Sequence, residues 1–123
     1  MVKYKTLVLG ASTKPEWYAY KAVHLLVEYG IEVVPMGIDQ GLVANIPIVT
    51  PFDLQTNIHT ITLYLSTSRQ EPYYNFIIKT NPKRVLFNPG SENPNLVKLL
   101  NDKGILWESA CTLVLLSTDQ YKT

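Results

Sequence analysis

The residues best placed to do chemistry lie early in the sequence, in Leu7-Val8-Leu9-Gly10-Ala11-Ser12-Thr13-Lys14-Pro15. A short apolar run ends at Gly10, and a helical pattern follows. Small residues at such a junction let the backbone approach a ligand. The next helix then aims its N–H groups and positive dipole end at an anion. Ser12 and Thr13 add hydroxyl donors, and Lys14 adds charge. The chemistry indicated is binding of a phosphate-bearing, nucleotide-type ligand. A plain strand-to-helix turn would carry the same residues, and the three-glycine dinucleotide fingerprint is absent.

Elsewhere no catalytic constellation stands out. His24 and His59 share no metal-ligand spacing and read as structural or solvated side chains, as does Lys21. Glu71, Glu92 and Glu108 form no pair, and Tyr73 and Tyr74 read as packing residues. Cys111 is the sole cysteine, which excludes an internal disulfide and fits a reducing compartment. It reads as a small buried hydrophobe, reactive only if it borders the site. A nicotinamide site wants an acid directly after the second strand. Here Pro35-Met36-Gly37-Ile38 stands in that place and Asp39 comes late, as a turn residue, which disfavours NAD.

The elements that must position these residues alternate. Leu7-Val8-Leu9 reads as a strand buried on both faces. Tyr18, Ala22, Leu25, Leu26 and Tyr29 recur at helical spacing, with Gly30 as a C-cap. Ile31 to Met36 is the next strand, and strand, helix, strand within about thirty residues is a βαβ unit. Residues 37–59 are irregular, with one short helix predicted at Thr50-Pro51, an N-cap followed by proline. Thr60 to Leu65 is the third strand, and Ser68-Arg69-Gln70-Glu71 matches a capping box for a helix that buries Tyr73, Phe76 and Ile77. Arg84 to Phe87 is the fourth strand. Asn93-Pro94 opens a helix with Leu96, Val97, Leu99 and Leu100 on its apolar face, ended by Gly104. Ile105 to Trp107 is a fifth strand, and Leu113 to Leu116 belong to a last helix. This alternation predicts an α/β fold with a parallel sheet. Ligands in such folds bind at the carboxyl ends of the strands, which selects the loops at residues 10–15, 36–39, 66–68 and 88–90.

Composition narrows the partners. The chain has 123 residues, 46% hydrophobic and 17% charged, with a formal net charge of +1, which suggests one domain over residues 1–123. No cluster of Lys and Arg offers a nucleic acid the concentrated charge it needs. No apolar run is long enough to span a membrane, and the first residues lack signal-peptide character, so a cytoplasmic location is expected.

These residues together resemble the single-domain coenzyme A-binding protein family, a Rossmann-like group whose domain also occurs in succinyl-CoA synthetase α subunits. Val8-Leu9-Gly10-Ala11-Ser12 with Lys14-Pro15 is similar to its opening loop. Glu28-Tyr29-Gly30-Ile31-Glu32-Val33-Val34-Pro35-Met36 is similar to its second-strand segment. Leu86-Phe87-Asn88-Pro89-Gly90-Ser91-Glu92-Asn93 and Glu108-Ser109-Ala110-Cys111 resemble its fourth-strand and late cysteine segments. The resemblance implies an open, parallel five-stranded sheet with helices on both faces. It implies coenzyme A, acyl-CoA or a related adenine nucleotide as ligand. The diphosphate would lie over Gly10, Ala11, Ser12 and Thr13, with Lys14 beside it and Tyr20 at the border. Pro35, Met36 and Gly37 would line the adenosine side, and Ser66, Asn88 and Gly90 the opposite wall.

The chain also departs from the family pattern. Trp17-Tyr18 replace an Arg-Pro pair, which removes a phosphate-facing arginine. Ser66 replaces a second arginine, for which Arg69 could compensate. Met36-Gly37-Ile38 and Ser109-Ala110 replace Val-Asn-Pro and Asp-Arg. The expected function is a small CoA-binding protein without evident catalytic machinery of its own. The alternatives are a protein-interaction or regulatory module on the same scaffold, with room for a homodimer, and a thiol or acyl-transfer enzyme using Cys111.

Overall fold

The computed structural model describes residues 3–122. Five strands form the main sheet: β1 (Thr6–Leu9), β2 (Val33–Met36), β5 (Thr60–Leu63), β6 (Arg84–Phe87) and β7 (Leu106–Ser109). Their order is β2-β1-β5-β6-β7, and every neighbouring pair is parallel. Four α-helices accompany them: α1 (Tyr18–Glu28), α2 (Tyr74–Thr80), α3 (Pro94–Asp102) and α4 (Thr112–Ser117). This is the parallel α/β architecture expected from the alternation, and the Rossmann-like fold that the resemblance implies.

Strand periodicity divides the core into two layers. Leu7, Leu9, Ile61, Leu63, Val85 and Phe87 face α2 and α3, meeting Phe76, Ile77, Leu96 and Leu100. Val8 and Leu86 face α1 and α4, meeting Ala19, Val23, Leu26, Leu115 and Leu116. Every residue of β1, β5 and β6 is buried, which is why their sequences read as near-continuous apolar runs.

Local expectations fail in three segments, and Leu99, expected on the apolar face of α3, is also exposed. No helix forms at Thr50-Pro51. That region holds a two-stranded ribbon instead, β3 (Leu42–Val43) and β4 (Ile46–Pro47), turned by Ala44 and Asn45. Both turn residues have positive φ, 51° and 64°, as a tight two-residue hairpin requires. After the ribbon, Val49 bridges to Met36 and covers the outer edge of β2, donating to the Pro35 carbonyl at 2.8 Å. Pro35 is tolerated because β2 is the sheet's end strand. The second failure is the capping box. Residues 67–73 form two 3-10 turns, Thr67–Arg69 and Glu71–Tyr73, with Pro72 early in the second, and α2 begins only at Tyr74. Third, Tyr18 and Tyr29 are exposed, and α1 buries Ala19, Ala22, Val23 and Leu26 instead. The Asn93 cap does form: its side-chain oxygen accepts from the N–H groups of Asn95 and Leu96 at 3.1 and 3.3 Å.

Candidate functional site

From β1 the chain steps outward through α1 to β2, then crosses back to β5 on the far side of β1. The connections therefore diverge above the carboxyl ends of β1 and β5 and leave a crevice between them. Two hollows lie there. The first, about 250 Å³, is lined by Gly10, Ala11, Ser12, Lys14, Trp17, Gly37, Ile38, Asp39, Tyr64, Leu65, Arg69 and Tyr73. The second, about 210 Å³, is lined by Trp17, Tyr18, Ala19, Leu63, Tyr64, Leu65, Ser66, Pro89, Gly90 and Ser91. Trp17, Tyr64 and Leu65 line both, so the hollows are chambers of one cleft.

Two glycines let the loops close up. A β-carbon on Gly37 would stand 2.6 Å from the Ala11 carbonyl oxygen. Gly10 has φ of +102°, and a β-carbon there would meet the Tyr64 carbonyl oxygen at 2.9 Å. The loops after β1, β2 and β5 are thus in backbone contact at the floor of the first chamber.

The donors around this floor differ from a simple backbone cradle. The N–H groups of Gly10 and Ala11 both donate to the Met36 carbonyl at 2.9 Å. They position the loop and are not open to an anion. The Ser12 hydroxyl donates to Asp39 Oδ2 at 3.3 Å, and the Thr13 N–H donates to the same oxygen at 3.4 Å. The Lys14 N–H donates to the Ser12 hydroxyl oxygen at 3.1 Å. The Lys14 ammonium lies 5.7 Å from the centre of the Trp17 ring, and Lys21 lies 5.4 Å from that of Tyr18. Arg69, on the turn after β5, brings a second cation to the first chamber.

The other expected site residues fall in several places. Ser66 and Gly90 line the second chamber. Pro35 and Met36 are buried beneath the loops, and Met36 belongs to the core. Thr13 lies behind Ser12 and lines neither chamber; its methyl would touch a β-carbon on Gly41. Tyr20 is half-buried on α1 with its ring 4.5 Å from that of His24, away from both chambers. Asn88 is 3% exposed, with both ends of its amide engaged. It donates to the Thr62 hydroxyl at 2.6 Å and the Leu63 carbonyl at 2.9 Å, and accepts from the Thr112 N–H at 2.8 Å. It joins β5, β6 and the start of α4, with both amide hydrogens engaged within the fold. Cys111 caps the start of α4, half-buried and outside both linings.

Residues that sequence reasoning placed elsewhere also reach the cleft. Asp39, read as a turn residue, stands inside it, and Trp17, read as a lost cation, lines both chambers. Tyr64 belongs to a strand in the sequence reading, yet it follows β5 directly and lines both chambers. Position at the end of a switch-point strand was the signal that could have found it. Its phenolic oxygen is buried without a hydrogen-bond partner, beside the Thr62 and Thr112 hydroxyls, which bond each other at 2.7 Å. Burial pushes this phenol far above its usual range.

The wall between the third and fourth loops is cross-linked. The buried Gln70 amide donates to the Leu65 carbonyl at 2.9 Å and the Ser91 carbonyl at 2.7 Å, and accepts from Asn93 at 3.0 Å. The Thr67 hydroxyl donates to the Glu92 carbonyl. Among the described residues, no cluster of His, Cys, Asp and Glu could hold a metal ion, and no helix is long and apolar enough to cross a membrane.

Comparisons with known proteins follow this geometry. A family model described as a CoA binding domain matches residues 4–117. A crystal structure of an uncharacterized protein, 38% identical, covers 98% of this chain and 100% of its own, with a TM-score of 0.94. A Thermus thermophilus structure is 19% identical over 97% of this chain and 91% of its own, at a TM-score of 0.85. A hypothetical protein from Pyrococcus horikoshii OT3 is 23% identical over 94% of this chain and 83% of its own, at 0.82. The latter two speak for the fold alone. The comparison with curated proteins found no match.

Proposed function

The chain belongs to the CoA-binding domain family, and from that premise we propose that it binds coenzyme A, an acyl-CoA or a closely related adenine nucleotide in the switch-point cleft. The observation that carries this reading is the joining of a polar, cationic chamber to a second one with an aromatic and apolar wall. Lys14 and Arg69 offer charge, and Ser12 a hydroxyl, suited to a diphosphate. Trp17, Tyr64 and Leu65 continue into the second chamber, where a neutral, flexible arm such as pantetheine finds apolar surface. Gly37 and Gly10 keep the floor clear of side chains.

When bound, the coenzyme would supply a thiol or thioester, and this chain's part would be to hold and orient it. A binding role without catalysis of its own is the reading adopted. The test is thermal denaturation with CoA, acetyl-CoA, ADP and NAD at millimolar concentration. Ligand at one hundred times its Kd adds about 2.7 kcal/mol of stability. CoA is expected to raise Tm by several degrees, and Lys14→Ala and Arg69→Ala to reduce the shift. No shift with any of the four would overturn the proposal.

A further inference from the structure

We infer that Asp39 sets the specificity of this cleft, by taking the ligand's ribose hydroxyls and disfavouring a phosphate on that ribose. The inference rests on the nucleotide-binding reading above and narrows it. One oxygen of the Asp39 carboxylate already accepts from the Ser12 hydroxyl, which lines the chamber with it, and from the Thr13 N–H behind. Gly10 and Ala11 cannot take their place, because the Met36 carbonyl holds both of their N–H groups. The acid therefore stands beside whatever lies on that loop.

The cations of the same chamber, Lys14 and Arg69, can draw a diphosphate to themselves. The group next to the diphosphate in an adenine nucleotide is the ribose. In open α/β sheets an acid arriving after the second strand accepts from ribose hydroxyls. A free diol has protons to donate to Asp39. A ribose phosphate has none at neutral pH and brings like charge. Like charges several ångströms apart in a half-exposed cleft separate affinities by about five- to tenfold. Coenzyme A carries a phosphate on the 3′ oxygen of its ribose, whereas dephospho-CoA carries a hydroxyl there.

Calorimetric titration of both ligands at one ionic strength tests this, with the wild type and Asp39→Asn. The amide keeps an oxygen acceptor for Ser12 and Thr13, so the loop retains its bonds. The wild type is expected to bind dephospho-CoA about five- to tenfold more tightly than CoA. In Asp39→Asn the two affinities are expected to converge, while Asp39→Glu keeps the preference. Equal affinities in the wild type, or a preference unmoved in Asp39→Asn, overturn the role of Asp39 and leave the nucleotide reading intact. Absence of binding by either ligand overturns both.

Discussion

Asn88 illustrates how the same residue can look like a ligand contact in sequence and act as a fastener in structure. It stands at the carboxyl end of a parallel strand, where binding residues gather, and its amide is suited to recognition. Its partners are Thr62, Leu63 and Thr112, two of them on a strand and one on a helix that are distant in sequence. Nothing in the local sequence reveals that all three converge. Asn88→Ala would strip the buried Thr112 N–H and Leu63 carbonyl of their bonds to the amide and leave the Thr62 hydroxyl only its bond to Thr112. The expected cost is about 2–4 kcal/mol in chemical denaturation, with Tm falling accordingly. By contrast, the closeness of the loops at Gly37 was accessible only as a small residue in the right place. Its reason, an Ala11 carbonyl where a side chain would begin, is a tertiary fact.

Elements whose start signals are local were legible. Asn93-Pro94 caps α3 as its residue types dictate, and β6 has the bounds its apolar run suggests. Elements whose form depends on a distant partner were not. The β3–β4 ribbon lacks the glycine that usually marks its turn, and Ala44 and Asn45 take up the strain instead. The Ser68 capping box yields because Gln70, within it, turns inward to bond the loop after β6. Asn93 serves both kinds of order, since its nitrogen donates to Gln70 and to the Tyr74 hydroxyl while its oxygen caps the helix. The two roles can be separated. Asn93→Asp keeps the cap oxygen and loses the donor, whereas Asn93→Ala loses both. The expected additional cost of alanine over aspartate is about 1 kcal/mol, measured by urea denaturation.

At the scale of the whole molecule, the strand order places the cleft, and the opposite ends of the strands govern pH response. His59 sits there, just before β5, with Nδ1 2.7 Å from the Thr60 hydroxyl. Burial, then the charges of Arg84 and Lys83, hold its pKa below the ordinary 6.5. The unfolded chain therefore binds the proton more readily than the folded one. The stability contribution is complete above pH 6.5 and is lost as pH falls through that value toward the lower folded pKa. Urea midpoints are expected to fall between about pH 7 and pH 5, and His59→Gln to flatten that slope. Arg84 itself is buried, held by the Thr60 hydroxyl and the Tyr121 carbonyl at 2.8 Å each, with its guanidinium 4.4 Å from the Tyr121 ring centre. The chain's last described turn is thus fastened under β6 while the cleft lies at the far end of the sheet.

The Gln70 cross-link also bears on how a ligand arrives. Because one amide joins the turn after β5 to the loop after β6, those two segments cannot swing independently. Opening either would expose a buried amide and strip three hydrogen bonds at once, a rare event on the timescale of molecular encounter. If the cleft binds a nucleotide as proposed, that wall already has its shape when the ligand arrives, and differences in affinity among ligands are expected to fall on how long each remains rather than on how fast it enters.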